Sequence, residues 1–167
     1  IGRQQLKKLS AFVDARKRNW QALRVGLADL EDVFEFSLPT HATGWGSDGF
    51  TWDSSGCSSD PSWFGFMILV REDAPFSRTE LARHLDSNGI GSRMLFGGNL
   101  LRQPVFQELS VRRPGAFRQI GDLKGADAIM QRALFLGVYP GLSDEQLAYC
   151  VRIIAAFCHG ASGPNGS

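Results

Sequence analysis

A run of glycine, arginine and amide side chains at residues 89–104 has the strongest chemical character in this chain. Arg93 and Arg102 carry planar guanidinium groups, which can bind an anion through two parallel hydrogen bonds. Asn99 adds an amide, and two pairs of glycines permit backbone geometry that other residues do not adopt. Pro104 ends the run. The pattern predicts a strand that leads into a ligand-contacting loop, with a solvated glycine-rich turn as the alternative.

The histidines and cysteines do not form a recognisable metal or nucleophile motif. None of the cysteines forms a C-x-x-C pair, so no local zinc or iron–sulfur motif is predicted, and their odd number argues against a disulfide-stapled secreted domain. The chain also has no phosphate-binding P-loop, G-x-S-x-G elbow or H-E-x-x-H motif. The three histidines are His41, His84 and His159, and the three cysteines are Cys57, Cys150 and Cys158. Their pattern alone names no reaction.

Length and charge exclude several classes of protein. The chain has 167 residues, which is the length of one domain, and its 43% hydrophobic and 21% charged residues are ordinary for a globular protein. The net charge of +1 gives no strong attraction to a polyanion. No apolar run has the length of a membrane span or a signal peptide. We therefore expect a cytoplasmic protein without nucleic-acid or membrane partners.

Hydrophobic spacing indicates which elements position these residues. Residues 2–30 carry leucines and aromatics at helical spacing, and residues 34–39 alternate as a short strand. Residues 41–60 are rich in glycine and serine and show no period, so we expect an exposed loop or insertion there. The apolar run 62–70 predicts a buried strand.

The second half of the chain alternates helices and strands. It is predicted to contain strands at 90–96 and 134–139 and helices at 75–85, 104–109, 126–133 and 143–157. Ser77 and Glu80 have the spacing of a capping box at the start of the first of these helices. The order of elements predicts a small α/β or α+β layer, with helices covering one side of an antiparallel or mixed sheet.

Several ordered motifs resemble the C-terminal part of the DegT/DnrJ/EryC1/StrS aminotransferase family. Within that family they resemble the branch of CDP-4-keto-6-deoxy-glucose 3-dehydrases, which are enzymes of lipopolysaccharide biosynthesis. The motifs are Arg16-Lys17-Arg18-Asn19, Trp63-Phe64-Gly65-Phe66, Glu72-Asp73-Ala74-Pro75-Phe76, residues 91–104, Gly121-Asp122-Leu123 and Leu136-Gly137-Val138-Tyr139-Pro140-Gly141-Leu142. The resemblance extends over residues 2–157.

The resemblance implies the fold of type I pyridoxal-phosphate enzymes, in which a large domain binds the cofactor and a smaller C-terminal domain closes over the substrate. Such enzymes act as homodimers. The 3-dehydrase branch has histidine in place of the Schiff-base lysine. It uses pyridoxamine phosphate and a [2Fe-2S] cluster to remove a hydroxyl group from a nucleotide-sugar, with electrons from a separate reductase. On this basis residues 1–30 are an interdomain helix, 31–158 the substrate-side domain and 159–167 a flexible tail.

The chain departs from the whole enzyme in one respect. It starts at Ile1 in a helical pattern, and the cofactor-binding half is absent, which indicates a piece of a longer protein. None of its four lysines resembles the cofactor lysine, none of its histidines matches the branch's catalytic histidine, and no cluster ligands are recognisable. Residues 41–60 are also longer than the branch leads us to expect. We therefore predict no catalytic residue in this chain, and neither cofactor nor cluster held by it alone.

The family match implies roles for the residues that remain. Arginine is well suited to bind the diphosphate of a nucleotide-sugar, so Arg102 beside Asn99 is the first candidate and Arg93 the second. Phe64 and Phe66 are candidates to line the pocket near the cofactor ring, with core packing as the alternative. For the parent protein, the alternatives to a 3-dehydrase are a nucleotide-sugar aminotransferase of the same family and a stand-alone nucleotide-sugar binding module.

Overall fold

The computed structural model describes residues 2–46 and 48–161. These residues form six α-helices and six strands. In chain order they are α1 (Gly2–Leu6), α2 (Leu9–Gly26), β1 (Phe34–Phe36), β2 (Ala42–Gly46), β3 (Gly49–Trp52), β4 (Gly65–Val70), α3 (Arg78–Ser87), β5 (Ser92–Met94), α4 (Pro104–Arg112), α5 (Lys124–Arg132), β6 (Ala133–Gly137) and α6 (Asp144–Ala161), with 3₁₀ helices at Ala28–Leu30 and Leu100–Arg102.

Four strands form one antiparallel sheet in the order β1-β4-β6-β5. Phe66 and Ile68 of β4 lie opposite Leu136 and Leu134 of β6, and all four side chains are buried. They pack against α2, α3 and α6, which form one continuous core with this face of the sheet. The predicted fold class, a small sheet with helices packed on one side, is therefore confirmed.

The helix predicted over residues 2–30 is interrupted. A turn at Lys7 and Lys8 separates α1 from α2, and α2 ends at Gly26 before a 3₁₀ turn. No residue of α1 is buried, so no packing holds this segment in line with α2. The close packing of α2 on α6 fixes Gly26, because a β-carbon there would lie 2.7 Å from a methyl group of Val151.

Residues 41–60 are more ordered than predicted. β2 and β3 pair as an antiparallel hairpin, and residues 53–60 after it contain neither helix nor strand. The hairpin packs on α2, where the Trp20 ring meets that of Trp45 edge-on with centroids 5.2 Å apart. The prediction of an irregular loop was wrong for β2 and β3, because the glycines interrupt the apolar alternation and the packing partner, Trp20, lies far away in sequence.

Local signals at several element ends are confirmed, and some lengths differ. Ser77 and Glu80 form both hydrogen bonds of the capping box at the start of α3. β5 ends at Met94 because Phe96 adopts a left-handed backbone with φ +46°. α6 runs to Ala161, so residues 159–161, predicted as part of the tail, are helical. Residues 162–167 lie outside the described residues. None of the described helices is long and apolar enough to cross a membrane.

Candidate functional site

The arginine- and glycine-rich run leads from the edge strand β5 into α4. β5 pairs with β6, and the chain then turns through two left-handed positions, Phe96 at φ +46° and Gly98 at φ +60°. A 3₁₀ turn at Leu100–Arg102 follows, and Pro104 stands at the start of α4. A bulky residue with positive φ is uncommon, and such strain collects at ligand-contacting segments. The predicted strand-to-loop transition is therefore present.

Asn99, Arg102 and Asp127 form a connected polar network. The Arg102 guanidinium donates from Nε to Asp127 Oδ1 at 3.1 Å and from Nη2 to Oδ2 at 3.0 Å, and Asn99 Nδ2 donates to Oδ1 at 2.8 Å. The Leu101 amide donates to Asn99 Oδ1 at 3.1 Å. Asn99 is 4% exposed, so its amide is a structural group of the turn. The turn and the arginine are thus held by one carboxylate.

The ion pair alters the acidity of both partners. The hydrogen bonds from Arg102, followed by that from Asn99, hold the pKa of the Asp127 carboxyl below its ordinary value. The hydrogen bond to Asp127 and its charge raise the pKa of Arg102. Both groups are therefore charged throughout the physiological pH range. The Arg102 side chain is 62% exposed, and its Nη1 has no hydrogen bond to any described residue. One edge of the guanidinium is thus held while the other is open.

A cavity of about 270 Å³ lies beside this network. Its wall combines the three network residues with the aromatic rings of Phe106 and Phe117 and with amide side chains. The two rings meet edge-on with centroids 5.7 Å apart. An open guanidinium edge, amides and aromatic rings can bind an anion and a planar or sugar ring.

Arg93 does not join this network. It lies on β5 opposite Phe135 of β6 and is exposed, and its side chain has no hydrogen bond or ion pair among the described residues. It does not line the cavity beside Arg102. Arg93 and Arg102 are therefore two separate positive groups and do not face the same cavity.

The two phenylalanines predicted as a pair lie in different environments. Phe66 is 1% exposed and packs on Trp20 and Phe36 with ring centroids 5.6 and 5.5 Å apart. Its interpretation as a pocket residue is therefore wrong, and it belongs to the core. Phe64 is 66% exposed. Its ring meets those of Phe96 and Phe135 at 6.3 and 5.6 Å.

These three rings form an aromatic patch, Phe64–Phe96–Phe135, separate from the helix-covered core. Phe135 is absent from the core cluster that contains its neighbours Leu134 and Leu136, as alternation along β6 requires. Phe96 is 80% exposed. Sequence reasoning found only Phe64. The other two carried no signal, because a strand residue and a loop residue come together only through the sheet register.

Residues 1–155 match the DegT/DnrJ/EryC1/StrS aminotransferase family. The chain belongs to this family. It is 39% identical over 153 residues to a dTDP-4-dehydro-2,6-dideoxy-D-glucose 3-dehydratase of Saccharopolyspora spinosa, covering 92% of this chain and 28% of that protein. It is 37% identical over 150 residues to the lipopolysaccharide biosynthesis protein RfbH of Salmonella typhimurium, covering 90% and 29%. The chain thus spans less than a third of these relatives.

The same fold occurs in solved protein structures. An E. coli GDP-4-keto-6-deoxy-D-mannose-3-dehydratase with bound hydrated PLP matches with a TM-score of 0.68 and 22% identity, over 92% of this chain and 33% of that one. The S. venezuelae DesV, in complex with a ketimine intermediate, matches with a TM-score of 0.66 and 21% identity, over 98% and 35%. These likenesses establish the fold of this DegT-family chain, and the family resemblance inferred from the motifs is confirmed.

None of the lysines in the described part of this DegT-family chain is buried. Lys17 is paired with Asp60, Lys124 with Asp122, and Lys7 and Lys8 are exposed in the turn between α1 and α2. Within residues 2–46 and 48–161, no three histidine, cysteine or acidic side chains are placed to hold a metal ion. Burial raises the pKa of the Cys158 thiol to about 12, as for an inert core cysteine.

Asp127 is the residue of this site that sequence reasoning missed. It lies in the first turn of α5 and 25 positions from Arg102, and a single acid in a predicted helix gives no functional signal. Gly98 was noticed as a glycine but not for its contact. A β-carbon there would lie 2.6 Å from Met130 Cγ, so the loop lies directly on α5. Only the folded chain reveals this support.

Proposed function

We propose that this chain is the C-terminal, substrate-side portion of a nucleotide-sugar 3-dehydratase that uses pyridoxamine or pyridoxal phosphate in deoxysugar or lipopolysaccharide biosynthesis. The similarity to a 3-dehydratase and to RfbH, over 92% and 90% of the chain, carries this proposal. Three features of its geometry support a binding role for this portion: an open arginine edge, a polar cavity and an aromatic patch.

The Arg102 loop is the proposed nucleotide-sugar contact. The free edge of the guanidinium is suited to a phosphate oxygen, because a charged planar donor gives strong and directional hydrogen bonds to phosphate. Arg93 is the second proposed contact, since it is exposed and has no partner among the described residues. Phe64 remains a candidate to contact the sugar or cofactor ring through the aromatic patch.

The cofactor and the proposed [2Fe-2S] cluster belong, in this proposal, to other parts of the parent protein. The cofactor supplies an electron sink when bound, and this chain supplies binding and closure. Exposed Leu6, Leu9 and Phe12 on the opening helices support packing against a further domain or a homodimer partner. No disulfide joins the three cysteines, which is consistent with the cytoplasm, and a separate reductase would supply electrons.

An aminotransferase of the same family is the second candidate. Its support is that the fold matches the aminotransferase TlmJ from Streptoalloteichus hindustanus with a TM-score of 0.64 and 19% identity, over 96% of this chain and 35% of that one. A lysine at the cofactor position of the parent would favour this candidate, and a histidine with a cysteine cluster would favour the dehydratase. A stand-alone binding module, the third alternative, would bind nucleotide-sugar as a folded monomer without any cofactor.

The decisive assay uses the full-length parent. It is incubated with CDP-, dTDP- or GDP-linked 4-keto-6-deoxy sugars, once with pyridoxamine phosphate, a reductase and the reduced nicotinamide that supplies the reductase with two electrons, and once with pyridoxal phosphate and glutamate. We expect a product that has lost the C3 hydroxyl in the first mixture only. An amino sugar formed in the second mixture would support the aminotransferase, and absence of turnover in both would contradict the enzymatic proposal.

A further inference from the structure

We propose that Asp127 is a positioning residue, which fixes the orientation of Arg102 so that the free edge of the guanidinium meets the phosphate of the bound nucleotide-sugar. This inference rests on the proposed function, because it assigns a role within the same site. It concerns a residue that lies outside the glycine- and arginine-rich run itself.

Several hydrogen bonds converge on the Asp127 carboxylate. Asp127 accepts three hydrogen bonds, from Asn99 Nδ2, Arg102 Nε and Arg102 Nη2, at 2.8 to 3.1 Å. Two of them form the bidentate arrangement that fixes a guanidinium plane as well as its position. The third comes from the buried amide that also binds the Leu101 backbone. The loop backbone and the arginine head group therefore share one anchor.

Packing and hydrogen bonds hold Asp127 and its helix α5 in place. One helical turn after Asp127, Met130 packs where a side chain on Gly98 would stand, so α5 contacts the loop at two positions on one face. The end of α5 is held in turn by Arg78 of α3, whose Nη1 donates to the Met130 carbonyl at 2.7 Å. Gln103 Nε2 donates to the Gly97 carbonyl at 2.8 Å and braces the loop from its other side.

The ion pair with Asp127 leaves one edge of the Arg102 guanidinium available to a ligand. The Arg102 side chain is 62% exposed, and its Nη1 has no partner among the described residues. A free arginine at such a position would sample many rotamers and lose that freedom on binding. Because the Asp127 carboxylate already holds the Arg102 side chain before a ligand binds, less rotamer freedom is lost on binding. The carboxylate also neutralises the charge of Arg102. Arg102 therefore contributes direction more than net charge, and a lysine at position 102 does not replace it.

An asparagine at position 127 would break this arrangement without changing its size. It offers one acceptor oxygen, and its NH₂ group would meet a guanidinium N–H, which is also a donor. A glutamate keeps both acceptors and the charge on a longer side chain. We therefore expect Asp127→Asn to disturb Arg102 more than Asp127→Glu does.

The test is a double-mutant cycle in the full-length parent, with Asp127→Asn, Arg102→Ala and the double variant. The dissociation constant for the matching nucleoside diphosphate (CDP, dTDP or GDP) is measured by calorimetry, and the melting temperature of each variant is recorded. Glu108→Gln is the matched control, because Glu108 forms an exposed ion pair with Arg112 at 3.4 Å on α4 and does not line the cavity. Asp127→Glu tests rescue.

We expect Arg102→Ala and Asp127→Asn each to weaken binding, on the order of tenfold to a hundredfold for displaced binding groups. The double variant should bind as Arg102→Ala does, because Asp127 acts only through Arg102. Asp127→Glu should recover part of the loss, and Glu108→Gln should bind normally.

Two kinds of result would overturn the inference. One is an additive loss in the double variant. The other is unchanged affinity in Asp127→Asn, whatever its melting temperature. Failure of the proposed function is seen separately, because it appears as absence of sugar turnover by the unmutated parent. A parent that turns over sugar while Arg102→Ala binds normally would remove the role of Asp127 and leave the proposed activity standing.

Discussion

The ring of Phe135 on β6 packs against the backbone of Gly65 on the neighbouring strand β4. It occupies the space that a side chain at position 65 would need. A β-carbon at Gly65 would be 2.5 Å from Phe135 Cδ2 and 2.9 Å from the Leu136 carbonyl oxygen. The glycine of the Trp63-Phe64-Gly65-Phe66 motif therefore permits the aromatic patch on this face of the sheet.

Gly65→Ala is the first test of this relationship. The added methyl group would push Phe135 or the strand, so we expect a loss of about 1–3 kcal/mol in the free energy of unfolding, as for an overpacked site. Gly137→Ala on β6 is the control, because no atom lies within 4 Å of its β-carbon position. Denaturant unfolding measures both, and equal stability of the two variants would contradict the contact.

The hairpin β2–β3 leads to a pH-dependent prediction. His41 Nδ1 and Asp53 Oδ2 lie 2.9 Å apart at its open end, and the hydrogen bonds from Ser55 and then from His41 hold the pKa of Asp53 below its ordinary value of 3.8. Because the pKa of Asp53 is lower in the folded state than in the unfolded state, its ionised form stabilises the fold at pH values above the ordinary pKa. This stabilisation is lost as the pH falls through the folded-state pKa.

We therefore expect limited proteolysis at neutral pH to cut within residues 53–60 and to spare 42–52. Below about pH 4, near the ordinary pKa of an aspartate, protection of the hairpin should fall in the unmutated chain. Asp53→Asn should remove this acid dependence and leave the tryptophan packing intact. The experiment uses an acid-stable protease, because its own activity changes least between the two pH values. First cleavage within 42–52 at neutral pH would contradict the hairpin.

The sequence predicts the parts of the fold that depend on neighbours in the chain. The capping box of Ser77 and Glu80 and the apolar continuity of β4 are such features. The hairpin was missed because its order depends on Trp20, and Phe66 was misplaced because alternation alone does not say which face is covered. Arg102 was found from its type, whereas Asp127 was not, because only folding brings two residues 25 positions apart together.

The isolated chain is expected to self-associate. Leu6, Leu9 and Phe12 are 69%, 53% and 37% exposed on the opening helices, which form an apolar surface without a partner among the described residues. Replacing Leu6 and Leu9 by glutamine should shift the chain toward a monomer in size exclusion. A sharp monomer peak of the unmutated chain at moderate concentration would contradict the expectation.

The isolated chain is also expected not to bind the cofactor covalently. Lys17 and Lys124 are held in ion pairs, and Lys7 and Lys8 are exposed in the turn between α1 and α2. Mixing the chain with pyridoxal phosphate should give no stable, lysine-dependent absorbance band beyond that of a surface amine. A stable band that disappears when one of these lysines is mutated would contradict this prediction.

The affinity of the full-length parent for its nucleotide-sugar, with Arg102 replaced by alanine or lysine, tests the central claim most directly. We expect both variants to bind roughly tenfold to a hundredfold more weakly, as for a lost hydrogen bond to a charged group, because lysine keeps the charge and loses the planar fork. The melting temperature should change little, since the side chain is largely exposed. Unchanged affinity together with a large fall in melting temperature would make Arg102 a structural partner of Asp127 and would remove this loop from the substrate site.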